Sequence, residues 1–359
     1  MQLPILYKTN KNGSTQICDI TISANVITTT FGQLDGKLQT KTDTIAGKNI
    51  GRSNATTDNQ QAILEAESKH TKKIKSGYTL IQGDAPVSKL PMKVGIWESK
   101  RFLPGILTTD KLNGVNGTYR RANGILTLTS RGGELFPELP HLHREIHQAM
   151  DLLKCNELNG ELYKQKTHLQ DITSAVKATK PSSATLEFHI FDAPDLDLPF
   201  TYRNDLLKAA TFTVSNVHVF FVIATPCPTI DHVEAAYNLA MWSGCEGTVL
   251  KLPSAEYVHG VRSSSMWKYK KAVDAEFQVV GYNFDKNNHV VYQCSSPGGD
   301  FSVKRKGTNA QRLADATIVD TNLKKFLTVE FECYSKSGKP TKPVGLCFRD
   351  CDINGDPLV

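Results

Sequence analysis

"TTDKLNGVNG", residues 108–117, sets one lysine in front of an Asn-Gly pair. Asn-Gly marks a turn, so Lys111 alone reads as a turn lysine closing a strand. Stretches further along the chain give it a second reading. "TSRGG" (129–133) is a strand ending in Arg131 and a turn, and "NGELY" (159–163) starts a strand that carries Glu161. "LEFHIF" (186–191) alternates, "EGTVLK" (246–251) opens a strand on Glu246, and "WKYKK" (267–271) is a basic strand. Side chains alternate across a strand. Leu186, Phe188 and Ile190 therefore share one face and Phe191 turns away from it. Glu161 and Tyr163 point together. Lys268 and Lys270 share a face opposite Trp267 and Tyr269, and two such lysines repel unless an anion lies between them.

In chain order the set is a lysine, an arginine, a glutamate, an outward aromatic, a second glutamate and a lysine pair. Covalent nucleotidyl transfer needs such a set. A lysine attacks an α-phosphorus only as the neutral amine, so nearby positive charge or metal has to lower its pKa. Two carboxylates hold a divalent ion that offsets phosphate charge. A lysine pair binds phosphates, and an aromatic stacks on a flat base.

The 359 residues are enough for two or three domains. A net charge of +6 fits a nucleic-acid partner without requiring one. The eight cysteines include no CxxC pair, so they read as reduced thiols of an intracellular protein and not as a zinc ribbon. No apolar run approaches a membrane span, and "MQLPILYKTNKNG" has no signal-peptide core. His143 and His147 lie four apart on a helical stretch, but Arg-Glu-Ile stands between them and not the Glu-x-x of a zinc hydrolase. No Walker-type glycine loop is present.

Residues 1–78 read as one α+β unit. "CDITISANVITTTFGQLDGKLQTK" alternates with Leu-Asp-Gly as a turn, and a glycine-rich loop leads to a helix of about five turns. Residues 79–90 read as a linker, 91–272 as a mixed α+β domain, and 273–359 as a small five-stranded barrel of OB type.

The order Lys111-x-Asn-Gly, Ser130-Arg131-x-Gly, Gly160-Glu161-Leu-Tyr, Phe191-Asp192, Glu246-Gly-x-Val, Lys268-x-Lys270 and "DAEF" resembles the nucleotidyltransferase motifs of ATP-dependent DNA ligases. "VEFECYSKSGKPTKPVGLCFRD" looks like the closing part of a ligase OB domain. "AGKNIGRSNATT" (46–57) resembles the extra N-terminal domain of some phage and large-DNA-virus ligases. The resemblance implies an α+β multidomain enzyme: a nucleotidyltransferase core, an OB barrel and a small N-terminal DNA-binding domain.

It also implies ATP and Mg²⁺ as cofactors, with Mn²⁺ as an alternative, and nicked duplex DNA as partner. The protein would be a monomer acting inside a host cell or bacterium, with no membrane partner. Lys111 would be the nucleophile. Thr109, Asn116, Arg131, Glu161, Phe191, Lys268 and Lys270 would bind the nucleotide, and Glu161 and Glu246 would serve the metal. Arg52, Lys69, Lys72, Lys73, Lys75 and Arg120 would contact DNA, with Lys69, Lys72 and Lys73 forming one patch at helical spacing.

Three positions depart from the family pattern. Asn113 replaces its aspartate in KxDG, Asn116 its arginine, and Asn159 its aspartate before Gly-Glu. Asparagine keeps the hydrogen bonding and drops the charge. RNA ligases of the same superfamily often carry asparagine where Asn116 stands, so an RNA ligase is one alternative. A non-catalytic ligase-like nucleic-acid binder is another, opposed by the intact lysines and glutamates.

Overall fold

The computed structural model describes residues 1–10, 12–83, 90–214, 217–352 and 358. Within the expected linker, 84–89 therefore lie outside the described residues. Thr79 still belongs to the N-terminal sheet, exchanging backbone hydrogen bonds of 2.9 and 2.7 Å with Tyr7.

The first unit is an antiparallel meander of β1 (Leu6–Thr9), β2 (Thr15–Ser23), β3 (Val26–Gln33) and β4 (Gln39–Thr44), followed by α1 (Asp58–Lys75). Alternation in β2 sends Cys18, Ile20 and Ile22 inward, where they meet Leu6, Ile27 and the small Ala62 and Ala66 of α1. Thr57 and Gln60 form a reciprocal capping box at the helix start. Lys72, Lys73 and Lys75 crowd its last turn, where cations suit the helix dipole.

The central unit runs β5 (Lys93–Ile96), β6 (Ile106–Lys111), β7 (Val115–Ala122), β8 (Ile125–Ser130), α2 (Pro140–Leu153), β9 (Glu157–Tyr163), α3 (Leu169–Lys177) and β10 (Glu187–Asp192). It continues through α4 (Phe200–Ala210), β11 (Val219–Phe221), β12 (Thr225–Cys227), α5 (Ile230–Trp242), β13 (Gly247–Lys251) and β14 (Arg262–Tyr269). These strands make two five-stranded sheets, ordered β11-β10-β9-β7-β8 and β12-β6-β13-β14-β5. Leu158, Leu162, Phe188 and Ile190 of the first sheet pack with Leu142, Ile146 and Met150 of α2 and Ile172 of α3. On the second sheet Ile106, Leu250 and Trp267 pack with Val233 of α5. The opposite face of the first sheet carries Asn116, Asn159 and Glu161, and that of the second carries Lys111 and Lys268 beside Leu107 and Met266, which pack with Phe200 of α4.

Asp192 and Arg203 tie β10 to α4 from within the core. Arg203 is 0% exposed and donates from Nε and Nη2 to the two Asp192 oxygens at 2.6 and 3.2 Å. A bidentate, fully desolvated pair of this kind is costly to halve.

The last unit is a closed barrel of β15 (Val273–Phe284), β16 (Val290–Cys294), β17 (Phe301–Arg305), β18 (Phe326–Phe331) and β19 (Val344–Arg349), with α6 (Asn309–Ala314) between β17 and β18. Phe277, Tyr292, Phe301, Leu327 and Phe331 fill it. The α+β architecture with a five-stranded barrel expected from the sequence holds.

Arg203→Met should lower the stability of the central unit by about 3–5 kcal/mol, because Asp192 stays behind as an uncompensated buried charge. Urea unfolding followed by fluorescence checks this. A loss under about 1 kcal/mol would show that Asp192 is not held in a dry core.

Candidate active site

β6 ends on Lys111 and pairs antiparallel with β13, so that Lys111 lies opposite Gly247 and the Glu246 N–H donates to the Lys111 carbonyl at 2.8 Å. This register sets the two side chains together. Lys111 Nζ donates to Glu246 Oε2 at 2.8 Å, and Lys270 Nζ reaches the same oxygen at 3.2 Å. A side chain at Gly247 would collide with the Tyr269 carbonyl, 2.2 Å from an ideal Cβ, so glycine is what lets β13 lie this close to β14.

The turn after Lys111 folds back on β9. An ideal Cβ on Gly114 would stand 2.4 Å from the Leu162 carbonyl and 2.8 Å from Glu161 Cγ, and the Gly114 N–H donates to the Glu161 carboxylate. Burial pushes Glu161 up to about 7, with Glu246 pushing the same way against Lys111 and Arg131. Burial also lowers Lys268, helped by the positive charge of Lys111. For Lys270, Glu246 and Glu332 outweigh burial and raise it. The structure thus brings Lys111, Arg131, Glu161, Glu246, Lys268 and Lys270 within one electrostatic neighbourhood.

Other expected residues lie further along the cleft. Thr109 shares the inner face of its sheet with Lys111 and is paired with Val249 on β13. Phe191 sits at an irregularity between Ile190 and Asp192, half-buried, with the Lys251 ammonium 5.7 Å from its ring centre. Lys251 is itself buried among Phe191, Phe200 and Asp192, and burial takes it down to about 8.

Asn116 and Asn159 belong together. Asn159 Nδ2 donates to Gly117 O and Thr118 Oγ1 at 3.0 Å and reaches Asn116 Oδ1 at 3.5 Å. Tyr257 OH donates to Asn159 Oδ1 at 3.3 Å. The positions where the family carries an arginine and an aspartate are thus neighbours here. Their charges are absent as a pair, and a neutral amide network takes the place between β7 and β9.

Arg120 shares the face of Asn116 but closes on Glu157, to which it donates at 2.9 and 3.1 Å, while His259 approaches the same carboxylate at 2.9 Å. Arg131 is exposed in the turn after β8. On the N-terminal unit Lys69 is paired with Asp43 at 2.7 Å, and Lys73 lies over the Tyr78 and Phe31 rings. Lys75 pairs with Glu134, three residues beyond Arg131. Lys72 and Arg52 are exposed. Helical spacing makes Lys69, Lys72 and Lys73 one basic patch, and the fold gives Lys69 and Lys73 local partners within it.

Two residues of the barrel complete this site: Glu332, which nothing in the sequence singles out, and Lys342, a charged residue of the terminal stretch. Glu332 receives Lys270 at 3.4 Å, and Lys342 at 2.8 Å from each oxygen. Both lie in the tail that resembles a ligase OB domain, yet nothing in their spacing shows that the barrel folds over Lys111. A groove of about 860 Å³ opens beside β6 between Thr109, Leu112, Tyr163, His189, Phe220 and Leu239. Among the described residues no group of three or more His, Cys, Asp or Glu is set to hold a metal.

The family described as ATP dependent DNA ligase domain matches residues 101–270. The chain is 28% identical over 335 residues to the DNA ligase of African swine fever virus (strain Badajoz 1971 Vero-adapted), covering 85% of this chain and 78% of that one. The DNA ligase of isolate Tick/Malawi/Lil 20-1/1983 of that virus is 27% identical over 378 residues, 96% of this chain and 88% of its own. A solved structure from work on Lig E DNA ligases aligns at TM-score 0.59 with 21% identity, over 72% of this chain and 99% of that one. At that identity the likeness concerns the fold.

Glu161 generates a pH test. Its folded value of about 7 lies above the ordinary 4.5, so unfolding releases a proton between these pH values. The stabilising contribution of the protonated form is complete below 4.5 and is lost as pH rises through 7. Glu161→Gln escapes this loss. Its stability relative to the wild type should climb by about 1–3 kcal/mol between pH 5 and pH 8 and then level off. Urea midpoints in buffer free of metal and nucleotide measure it, and a difference that does not change with pH would contradict the burial of this carboxyl.

Proposed function

Since residues 101–270 belong to the ATP-dependent DNA ligase domain family, we propose that this chain seals nicks in duplex DNA through a lysyl-AMP intermediate. The observation that carries the reading is Lys111 Nζ at the end of β6, 2.8 Å from Glu246 and flanked by Lys268, Lys270 and Glu161. Lys111, as the free amine, attacks the α-phosphorus of ATP. The P–N bond forms, the bond to the pyrophosphate oxygen breaks, and pyrophosphate leaves. Glu246 is an acceptor within hydrogen-bond reach of the proton that Lys111 gives up. Lys268 and Lys270 hold the departing phosphates. AMP then passes to the 5′-phosphate at the nick, and the 3′-hydroxyl attacks that phosphate and releases AMP.

Phe191 and Val249 face the cleft from the two sheets and are the candidates to enclose the adenine, with Thr109 beside them. The site suits a hard divalent ion such as Mg²⁺. Glu161 and Glu246 are oxygen donors, the charge of Glu246 helps to raise Glu161, and a cation between them would relieve this. Such an ion, once bound, would offset charge on the phosphates. Arg131, whose charge acts on Glu161, would contact ribose or the nick phosphate. Arg52 and the lysines of α1 would contact the duplex backbone as part of a monomeric enzyme that works in the cell on replication or repair nicks.

With Mg²⁺ and α-labelled ATP the protein should become covalently labelled, and Lys111→Ala should carry none. Arginine is no substitute there, because it keeps its proton. Chasing the labelled protein with nicked DNA or nicked RNA separates a DNA ligase from an RNA ligase, and labelling from GTP would point to a capping enzyme. Wild-type labelling in Lys111→Ala would remove the central assignment.

A further inference from the structure

The barrel places an anion of its own among the active-site lysines. β18 ends at Phe331, and its next residue, Glu332, keeps antiparallel pairing by donating from its N–H to the Thr341 carbonyl at 3.1 Å. Lys342 is thereby set beside Glu332 across the hairpin, and its Nζ contacts both carboxylate oxygens. Lys342 holds φ +50° directly before Pro343, a conformation that residues preceding proline avoid, so the hairpin is constrained at this lysine. The second partner of Glu332 comes from the other unit: Lys270, only 15% exposed and shared with Glu246.

The charges in this space do not balance. Four lysines, Lys111, Lys268, Lys270 and Lys342, face three carboxylates, Glu161, Glu246 and Glu332. Lys342 and Lys270 outweigh burial and hold Glu332 below the usual carboxylate range. The surplus is positive, and it suits a polyanion larger than one carboxylate. A polyphosphate bound at Lys268 and Lys270 would bring like charge against Glu332, and at such separations the repulsion between partly buried anions is strong.

We propose that Glu332 is an internal stand-in for nucleotide phosphate. It clamps the barrel over the cleft through Lys270, and incoming polyphosphate displaces it and takes over Lys270 and Lys342. This rests on the reading of Lys268 and Lys270 as phosphate-holding residues. Removal of the stand-in frees the binding-competent state, so affinity for a bare polyphosphate rises by the inverse of that state's former population.

The test uses the full-length protein and inorganic pyrophosphate as the probe, by calorimetry in Mg²⁺ buffer, with small-angle scattering of the nucleotide-free protein alongside. Glu332→Gln should bind pyrophosphate about three- to tenfold tighter than the wild type, and Lys342→Gln should bind it more weakly. Glu332→Gln should be more extended than the wild type without nucleotide, because it breaks the Lys270 bridge between barrel and core, whereas Lys342→Gln, whose partner lies on the same hairpin, should not be. Glu332→Asp, a shorter carboxylate, should shift affinity in the same direction as Glu332→Gln by less, and it serves if the glutamine variant does not fold. Unchanged or weaker pyrophosphate binding by the Glu332 variants overturns the proposal. Lys270→Gln separates the two readings. If it binds pyrophosphate like the wild type, the phosphate role of Lys270 fails; if it loses binding while the Glu332 variants are unaltered, only the stand-in fails.

Discussion

Cations have to be held together against their repulsion for this cleft to exist. Lys111 and Lys270 converge on one oxygen of Glu246, and Lys268 faces the same space with its charge disfavoured by burial and by Lys111. Unpaired lysines at this spacing would splay toward water. The arrangement therefore depends on Glu246, which stands where β13 begins, and on the β6–β13 register that sets it beside Lys111. A slip of one residue would turn Lys111 into the α5 side of the sheet and Thr248 toward the phosphates. The glycines at 114 and 247 serve that register. Each lets a backbone approach that a Cβ would block, one bringing the turn against Glu161 and the other bringing β13 against β14.

Beneath this charged layer the fold is insulated by neutral or fully paired polar groups. Asn116, Asn159, Tyr257 and Thr118 hydrogen-bond among themselves, and Asp192 is neutralised by Arg203. An isolated aspartate at 159 would add a buried negative charge close to Glu161 and push that carboxyl further from ionisation. With asparagine at both 116 and 159 the region carries no added charge, so no buried ion pair has to be desolvated there.

Much of this was legible in the chain. The period-two runs mark β2, β3, β10 and the barrel strands because one face of each meets a core and the other meets water. The Thr and Asp before the helical stretch announce α1, and Lys268 and Trp267 take the faces that alternation assigns. What was not legible shares one physical cause, which is dependence on long-range contact. Arg203 reads as a helix-surface arginine until α4 is laid against β10. Lys251 reads as the end of a strand until Phe200 covers it at 4.1 Å. Glu332 reads as a strand-end carboxylate until the barrel swings its hairpin onto Lys270.

The same cause explains the N-terminal unit, where counting charges along α1 overstated what the helix offers. Helical spacing puts Lys69, Lys72 and Lys73 near one another, but it carries no information on the strand beneath. Asp43 on β4 takes Lys69, and the Tyr78 ring, reached by the chain folding back after the helix, takes Lys73 at 4.9 Å. Lys75 reaches across to Glu134 in the turn that carries Arg131. Pairs this exposed contribute little to stability, so each remains available for exchange when phosphates approach. The end of α1 and the turn carrying Arg131 are thus joined through one ion pair, a link that spacing along α1 alone does not contain.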